Sequence, residues 1–176
     1  MTRSELEHVI RAAGRISRDR EIVVIGSQAV LGQFPDAPGS LLTSMEADVY
    51  PRNHPERADL IDGAIGEGSP FHERFGYYAQ GVGAATATLP DGWRRRLVSV
   101  KNTNTDGVKG LCLEVHDLAI SKYVAGRDKD LAFTRALSKH GLTREATLLD
   151  RAARTKLEPA LLQLVRGRIE RDFAAR

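Results

Sequence analysis

An α+β fold is predicted, with a mixed sheet core flanked by helices and followed by a helical C-terminal unit. Three observations lead there. Residues 21–25, EIVVI, are a short continuous apolar run rich in β-branched residues, the pattern of a strand buried on both faces. RRLVSVKN and VKGLCLEV flank TNTDG, a hairpin signal. From His116 onward the chain is a succession of stretches with helical spacing. The shift near Glu114 divides the 176 residues into an α/β core, 1–114, and a helical unit, 115–176, packed on it.

The elements follow in order. Ser4 and Glu7 make a capping box, after which Leu6, Val9, Ile10, Ala13 and Ile16 repeat at helical spacing. EIVVI runs into Gly26-Ser27 and then QAVLGQF, a short helix stopped by PDAPGS. TSMEADVY alternates and ends at Pro51, which reads as a second strand. PERADLIDGAIG is a helix with Pro55 in its first turn. GEGSPFHERFGYYAQGVGAATATLP, rich in Gly and aromatics, reads as a loop leading into short strands. HDLAISKYVAG, DKDLAFTRALSKHG, TREATLLDRAART and EPALLQLVRGRIERDF are the C-terminal helices.

Composition narrows the class. With 41% hydrophobic and 28% charged residues the chain is expected to be globular. The charged start, MTRSELEHVIRAAGRISRDR, lacks the apolar stretch of a secretory signal. No apolar run approaches the roughly 18 residues of a membrane span, so no membrane partner is expected. Cys112 is the only cysteine, which excludes an internal disulfide and a cysteine-based zinc site and suits a reducing cytoplasm. The net charge is +3, but from Ala132 to Arg176 ten Lys/Arg face five Asp/Glu, and GWRRRLVSVK adds another basic patch. Such faces suit a polyanionic partner, or are simply a solvated helical surface.

Two stretches carry the chemistry. Gly26-Ser27 sits where a buried strand turns into a helix, so free backbone N–H groups and the positive end of a helix dipole face one point. That suits a phosphate, to which Ser27 would donate its hydroxyl, although Ser27 as a plain helix cap explains the same residues. Glu46 and Asp48, two apart on a strand, share a face, with Met45, Ala47 and Val49 on the other. Two adjacent carboxylates repel unless something neutralises them, and Mg²⁺ commonly takes one or two carboxylates plus substrate phosphates. The bland alternative is a solvated edge strand. Lys122 and Asp130 are either exposed helix charges or, with Gly126 ending one helix and Asp128 capping the next, members of adjacent helices that converge on one cleft. His8, His54, His72, His116 and His140 show no metal-ligand spacing. No Walker A pattern is present, and GVGAA is too incomplete for a dinucleotide fingerprint.

These residues resemble a family. A strand, Gly-Ser and a helix followed by a strand-borne Glu-x-Asp resemble the polymerase-β-type nucleotidyltransferase superfamily. There Gly-Gly or Gly-Ser holds the nucleotide phosphates, and a strand Asp-x-Asp holds the metals. LEVHDLAISKYVAGRDKDLAF is similar to the AbiEii group of nucleotidyltransferase-like toxins, where Asp-Leu-Ala-x-x-Lys precedes Arg-x-x-Asp. The run from VVIGSQA through GRDKDLAF, within about residues 20–140, looks like an uncharacterised AbiEii-related bacterial family. The resemblance implies a nucleotidyltransferase-like core in which Gly26 and Ser27 bind triphosphate and Glu46 and Asp48 ligate Mg²⁺ or Mn²⁺. Lys122 would contact the phosphates, and Asp130 would orient it or the nucleotide. Two departures stand out: Glu46 replaces the usual Asp, and Leu42 stands where related toxins often carry Arg. Glu114 is either a third strand carboxylate or a helix-entry acid.

The implied activity is metal-dependent transfer of a nucleoside monophosphate from an NTP to an RNA (tRNA included) or protein hydroxyl, with the chain as the toxin of a toxin–antitoxin pair. The alternative is an inactive nucleotidyltransferase-like module that binds a partner protein or nucleic acid through its basic helices.

Overall fold

The computed structural model describes residues 1–175; Arg176, counted above in the basic tail, lies outside them. The first helix, α1 (Arg3–Ser17), starts at Thr2, whose side chain accepts from Glu5 N while Glu5 reaches back to Thr2. The capping box therefore lies two residues before the predicted one. Glu7 is otherwise engaged. Only 4% exposed, it accepts from Asn102 Nδ2 at 2.7 Å, Asn104 Nδ2 at 2.8 Å and Arg3 Nε at 2.8 Å, tying α1 to the hairpin loop. Leu6, Val9, Ile10 and Ala13 point inward, as their spacing predicts; each large one contributes about 1.5–3 kcal/mol by leaving water.

The other elements are β1 (Glu21–Val24), α2 (Val30–Gln33), β2 (Glu46–Pro51), α3 (Ala58–Ile65), α4 (Pro70–Phe75), β3 (Tyr78–Gly81), β4 (Val98–Val100) and β5 (Lys109–Cys112). The helices α5 (Val115–Ala125), α6 (Asp128–Lys139), α7 (Glu145–Ala153) and α8 (Pro159–Ala174) complete the chain. Strand order is β3-β2-β1-β5-β4. β1 runs antiparallel to β2 and parallel to β5, while β2–β3 is parallel and β4–β5 antiparallel, so the sheet is mixed. The hairpin stands where TNTDG predicts it, with Asp106 and Gly107 turning through positive φ. α4 was not expected in the Gly-rich segment. Ser69 caps it by accepting from His72 N, and Pro70 takes its first position.

Register separates the two faces of the sheet. Ile22 pairs with Gly110, and any side chain at Gly110 would run into Ile10 of α1, so the face of Ile22, Val24 and Val49 lies under α1. Val23 pairs with Tyr50, which puts Tyr50, Asp48 and Glu46 together on the opposite face. Ala47 and Val49 are buried as predicted; Met45 is exposed, because it lies just outside the strand. α5 is buried almost all round, from Val115 to Ser121, and packs against α2, α6, α7 and α8. Apolar side chains of the sheet and of the C-terminal helices join in one buried cluster. Among the described residues no helix is long and apolar enough to cross a membrane.

Candidate active site

The two motifs meet where β1 ends. Ile25 N donates to Asp48 O at 3.0 Å, so the chain leaving β1 is held beside β2. At Gly26 the approach is so close that a Cβ would run into Asp48 Oδ2, so a larger residue fits only if the Asp48 side chain shifts. Gly26 then begins a 3₁₀ turn, Ser27–Ala29, in place of the first turn of the predicted helix. Ser27 is half-buried and its Oγ accepts from Gln28 Nε2 at 3.4 Å. The turn has no side-chain cap, so the plain capping role open to Ser27 is not the one it takes. Gln28 is fully buried, and its Oε1 has no hydrogen-bond partner among the described residues.

Glu46 and Asp48 are neighbours on one face of β2 and act on each other. Burial, the hydrogen bond to Glu46 and the charge of Glu46 push the Asp48 carboxyl up to about 7, with Lys122 and Lys129 opposing. Tyr78 of β3 donates its hydroxyl to Glu46 Oε2 at 3.1 Å. Burial and the neighbouring Glu46, Glu67 and Asp48 charges push that phenol up to about 12, so it remains a donor. The helical unit brings the cations. Lys122 on α5 lies 3.4 Å from Asp130 Oδ1, and Arg127 Nε bonds Asp130 Oδ2 at 2.6 Å. Asp130 is 2% exposed; burial alone would raise its carboxyl, but Arg127 and Lys122 outweigh that and hold it below its usual range.

Lys122 and Asp130 thus come from adjacent helices that converge, as one of the two readings had it. Gly126 ends α5 in the left-handed region, at φ 65°. Asp128 does not cap α6: Arg127 holds the cap position without a side-chain bond, and Asp128 falls in the first turn, where its charge suits the helix dipole. Glu114 caps α5, accepting from His116 N and Asp117 N and from His116 Nδ1 at 2.6 Å; this is the helix-entry role. His116 Nε2 accepts from Arg144 N, so the ring proton sits on Nδ1. Asp117, fully buried, is spent on Arg96 (2.8 and 2.9 Å) and Arg151 (3.5 Å).

Tyr78, Lys129 and Arg127 escaped the sequence reading. Arg127 stands in the quoted pattern but received no role, and its guanidinium feels Asp130 first and then Asp48 and Glu46. Nothing local marks Tyr78, because its place depends on strand register.

The oxygen-only donor pair fits a hard divalent cation. Burial and the neighbouring Glu46 outweigh Lys122 and Lys129 at the Asp48 carboxyl, and a divalent ion beside both carboxylates would offset that balance. Among the described residues no group of three or more His, Cys, Asp or Glu side chains could hold a metal, so remaining positions would fall to phosphate and water.

Residues 4–141 match the family described as "Nucleotidyltransferase of unknown function (DUF6036)". The chain belongs to this family. The matched stretch contains each residue of the site, from Gly26 to Asp130, and ends before α7. No curated protein and no solved structure matches the chain.

Proposed function

We propose that this nucleotidyltransferase is active and Mg²⁺-dependent (Mn²⁺ serving as well), moving a nucleoside monophosphate from an NTP to a hydroxyl of RNA, tRNA included, or of a protein. The observation that carries this reading is the contact of the Gly26–Ser27 turn with the Asp48 carboxylate, which sets a phosphate cradle beside a pair of metal-type ligands. Glu46 and Asp48 hold the ion, which when bound supplies charge neutralisation at the phosphates. Gly26 and Ser27 offer a backbone N–H and a hydroxyl to the triphosphate. Lys122 contacts the phosphates, its amine steered by Asp130, and Arg127 and Lys129 add positive charge at the mouth. The acceptor oxygen bonds to the α-phosphorus as the bond to the β-phosphate breaks; pyrophosphate leaves and the hydroxyl proton passes to solvent. Catalysis in such a site is mostly electrostatic and positional.

Exposed basic side chains on the last helices, among them Arg135, Lys139, Arg144 and Arg166, suit an RNA acceptor. The resemblance of LEVHDLAISKYVAGRDKDLAF to AbiEii toxins supports a cytoplasmic toxin held by an antitoxin protein. Calorimetry of the full chain with ATP, GTP, CTP and UTP tests the reading. Binding of at least one of them that requires both Mg²⁺ and Asp48 supports it. Nucleic-acid binding indifferent to Mg²⁺ and NTP, with no nucleotide bound, points instead to an inactive module.

A further inference from the structure

The β2–β3 pairing sets Tyr78 directly opposite Glu46. In a sheet, opposite side chains on one face are within reach of each other, and the phenol spans the gap to Glu46 Oε2 at 3.1 Å. The ring is itself held: it lies against His72, ring centroids 4.6 Å apart, and His72 Nδ1 accepts from Gly68 N at 3.0 Å. The neighbouring Tyr77 faces away. Its hydroxyl meets His8 Nδ1 at 2.8 Å within an aromatic cluster with Phe71 and Phe75.

We propose that Tyr78 is a positioning residue for the metal-binding pair, fixing the Glu46 carboxylate in one orientation before the cation arrives. The inference rests on the reading of Glu46 and Asp48 as ligands. A free Glu side chain has three torsions to immobilise on binding a metal, one more than Asp. The phenol occupies Oε2, so Oε1 is the oxygen it leaves for the ion, which would take the place of the Asp48 proton that bonds to Glu46 in the metal-free protein. Outer-shell partners of this kind typically change metal affinity 10–100-fold when removed.

The test is an Mn²⁺ titration of the full-length chain, following loss of the free-ion electron paramagnetic resonance signal. Tyr78→Phe keeps the ring against His72 and removes only the hydroxyl; it should weaken Mn²⁺ binding about tenfold or more. Tyr77→Phe removes the neighbouring hydroxyl and should leave the affinity within about twofold. In a Glu46→Gln background, Tyr78→Phe should add nothing further, because its effect passes through Glu46. An equal loss in both backgrounds makes the hydroxyl merely structural and overturns the inference. So does wild-type affinity in Tyr78→Phe while Asp48→Asn abolishes binding; in that case the ligand reading stands and Tyr78 alone drops out. If Asp48→Asn binds Mn²⁺ as the wild type does, the ligand reading itself fails and takes this inference with it.

Discussion

Asp48→Asn is expected to remove a pH-dependent weakness of the metal-free protein. The Asp48 carboxyl moves from 3.8 to about 7 on folding, first through burial and then through Glu46, which takes its hydrogen bond and repels its charge. Between those values the folded chain binds a proton that the unfolded chain has released. Stability therefore falls as pH rises through that window, and the fall is complete above it. For one group, 1.4 kcal/mol per tenfold in proton concentration gives a loss of about 2.5 kcal/mol between about pH 5 and about pH 8. Interaction with the adjacent Glu46 charge spreads the change over a wider pH range, so the expected loss is about 1–2.5 kcal/mol. Asn is nearly isosteric, its amide can donate to Glu46 as the protonated acid does, and it carries no charge. Urea unfolding of both proteins at the two pH values, with chelator present, isolates the effect as a change in their difference. The mutant should gain about 1–2.5 kcal/mol on the wild type at the higher pH. A difference that does not move with pH refutes the reasoning. So does a mutant about 2 kcal/mol less stable at about pH 8, which would make Asp48 a structural acceptor for buried donors.

Gly26→Ala should cost about 1–3 kcal/mol by overpacking against Asp48 Oδ2, and Asp48→Ala should return most of it; urea melts of the single and double variants compare the two penalties. Ser27→Ala should weaken NTP binding by about 1.5–3 kcal/mol in calorimetry with at most a small fall in melting temperature, because its hydroxyl caps nothing in the turn and the bond it accepts from buried Gln28 Nε2 is long, at 3.4 Å. Asp130→Asn should lower stability by about 2–3 kcal/mol at neutral pH, since Lys122 and Arg127 lose their shared partner. The Asp130 carboxyl is held low, so the wild type should lose this advantage only as pH falls below the usual carboxylate range, which acid titration of both proteins by circular dichroism would reveal. RNA affinity in filter binding should fall with salt, log K dropping about 0.7–0.9 per phosphate contact for each tenfold rise in salt concentration.

What could be read from the sequence was local. EIVVI, the alternation around Glu46 and Asp48, and TNTDG each announce themselves within a few residues, and the structure places β1, β2 and the β4–β5 hairpin there. Thr2/Glu5 and Ser4/Glu7 satisfy the same capping pattern. What separates them is Asn102 and Asn104, almost a hundred residues on, which claim Glu7. α4 lay hidden because Gly66, Gly68 and Gly76 bracket only six helical residues; Ser69-Pro70 was the available signal. The acid pair was legible from its period of two. Its partner Tyr78 was not, because the order β3-β2-β1-β5-β4 joins segments that no local pattern connects. Arg127 and Lys129 sat in a legible junction, but their reach to the carboxylates depends on how α5 and α6 fold back toward β2.

Label transfer tests the central claim most directly: the full-length chain, Mg²⁺, each α-³²P-labelled NTP in turn and total RNA, with protein and RNA resolved separately. The account predicts label from at least one NTP on RNA or protein, released pyrophosphate, and loss of both when Mg²⁺ is chelated or Asp48 is replaced by Asn. Label that persists in Asp48→Asn, or no transfer from any NTP by a folded wild-type chain that binds Mg²⁺ and nucleotide, would contradict it.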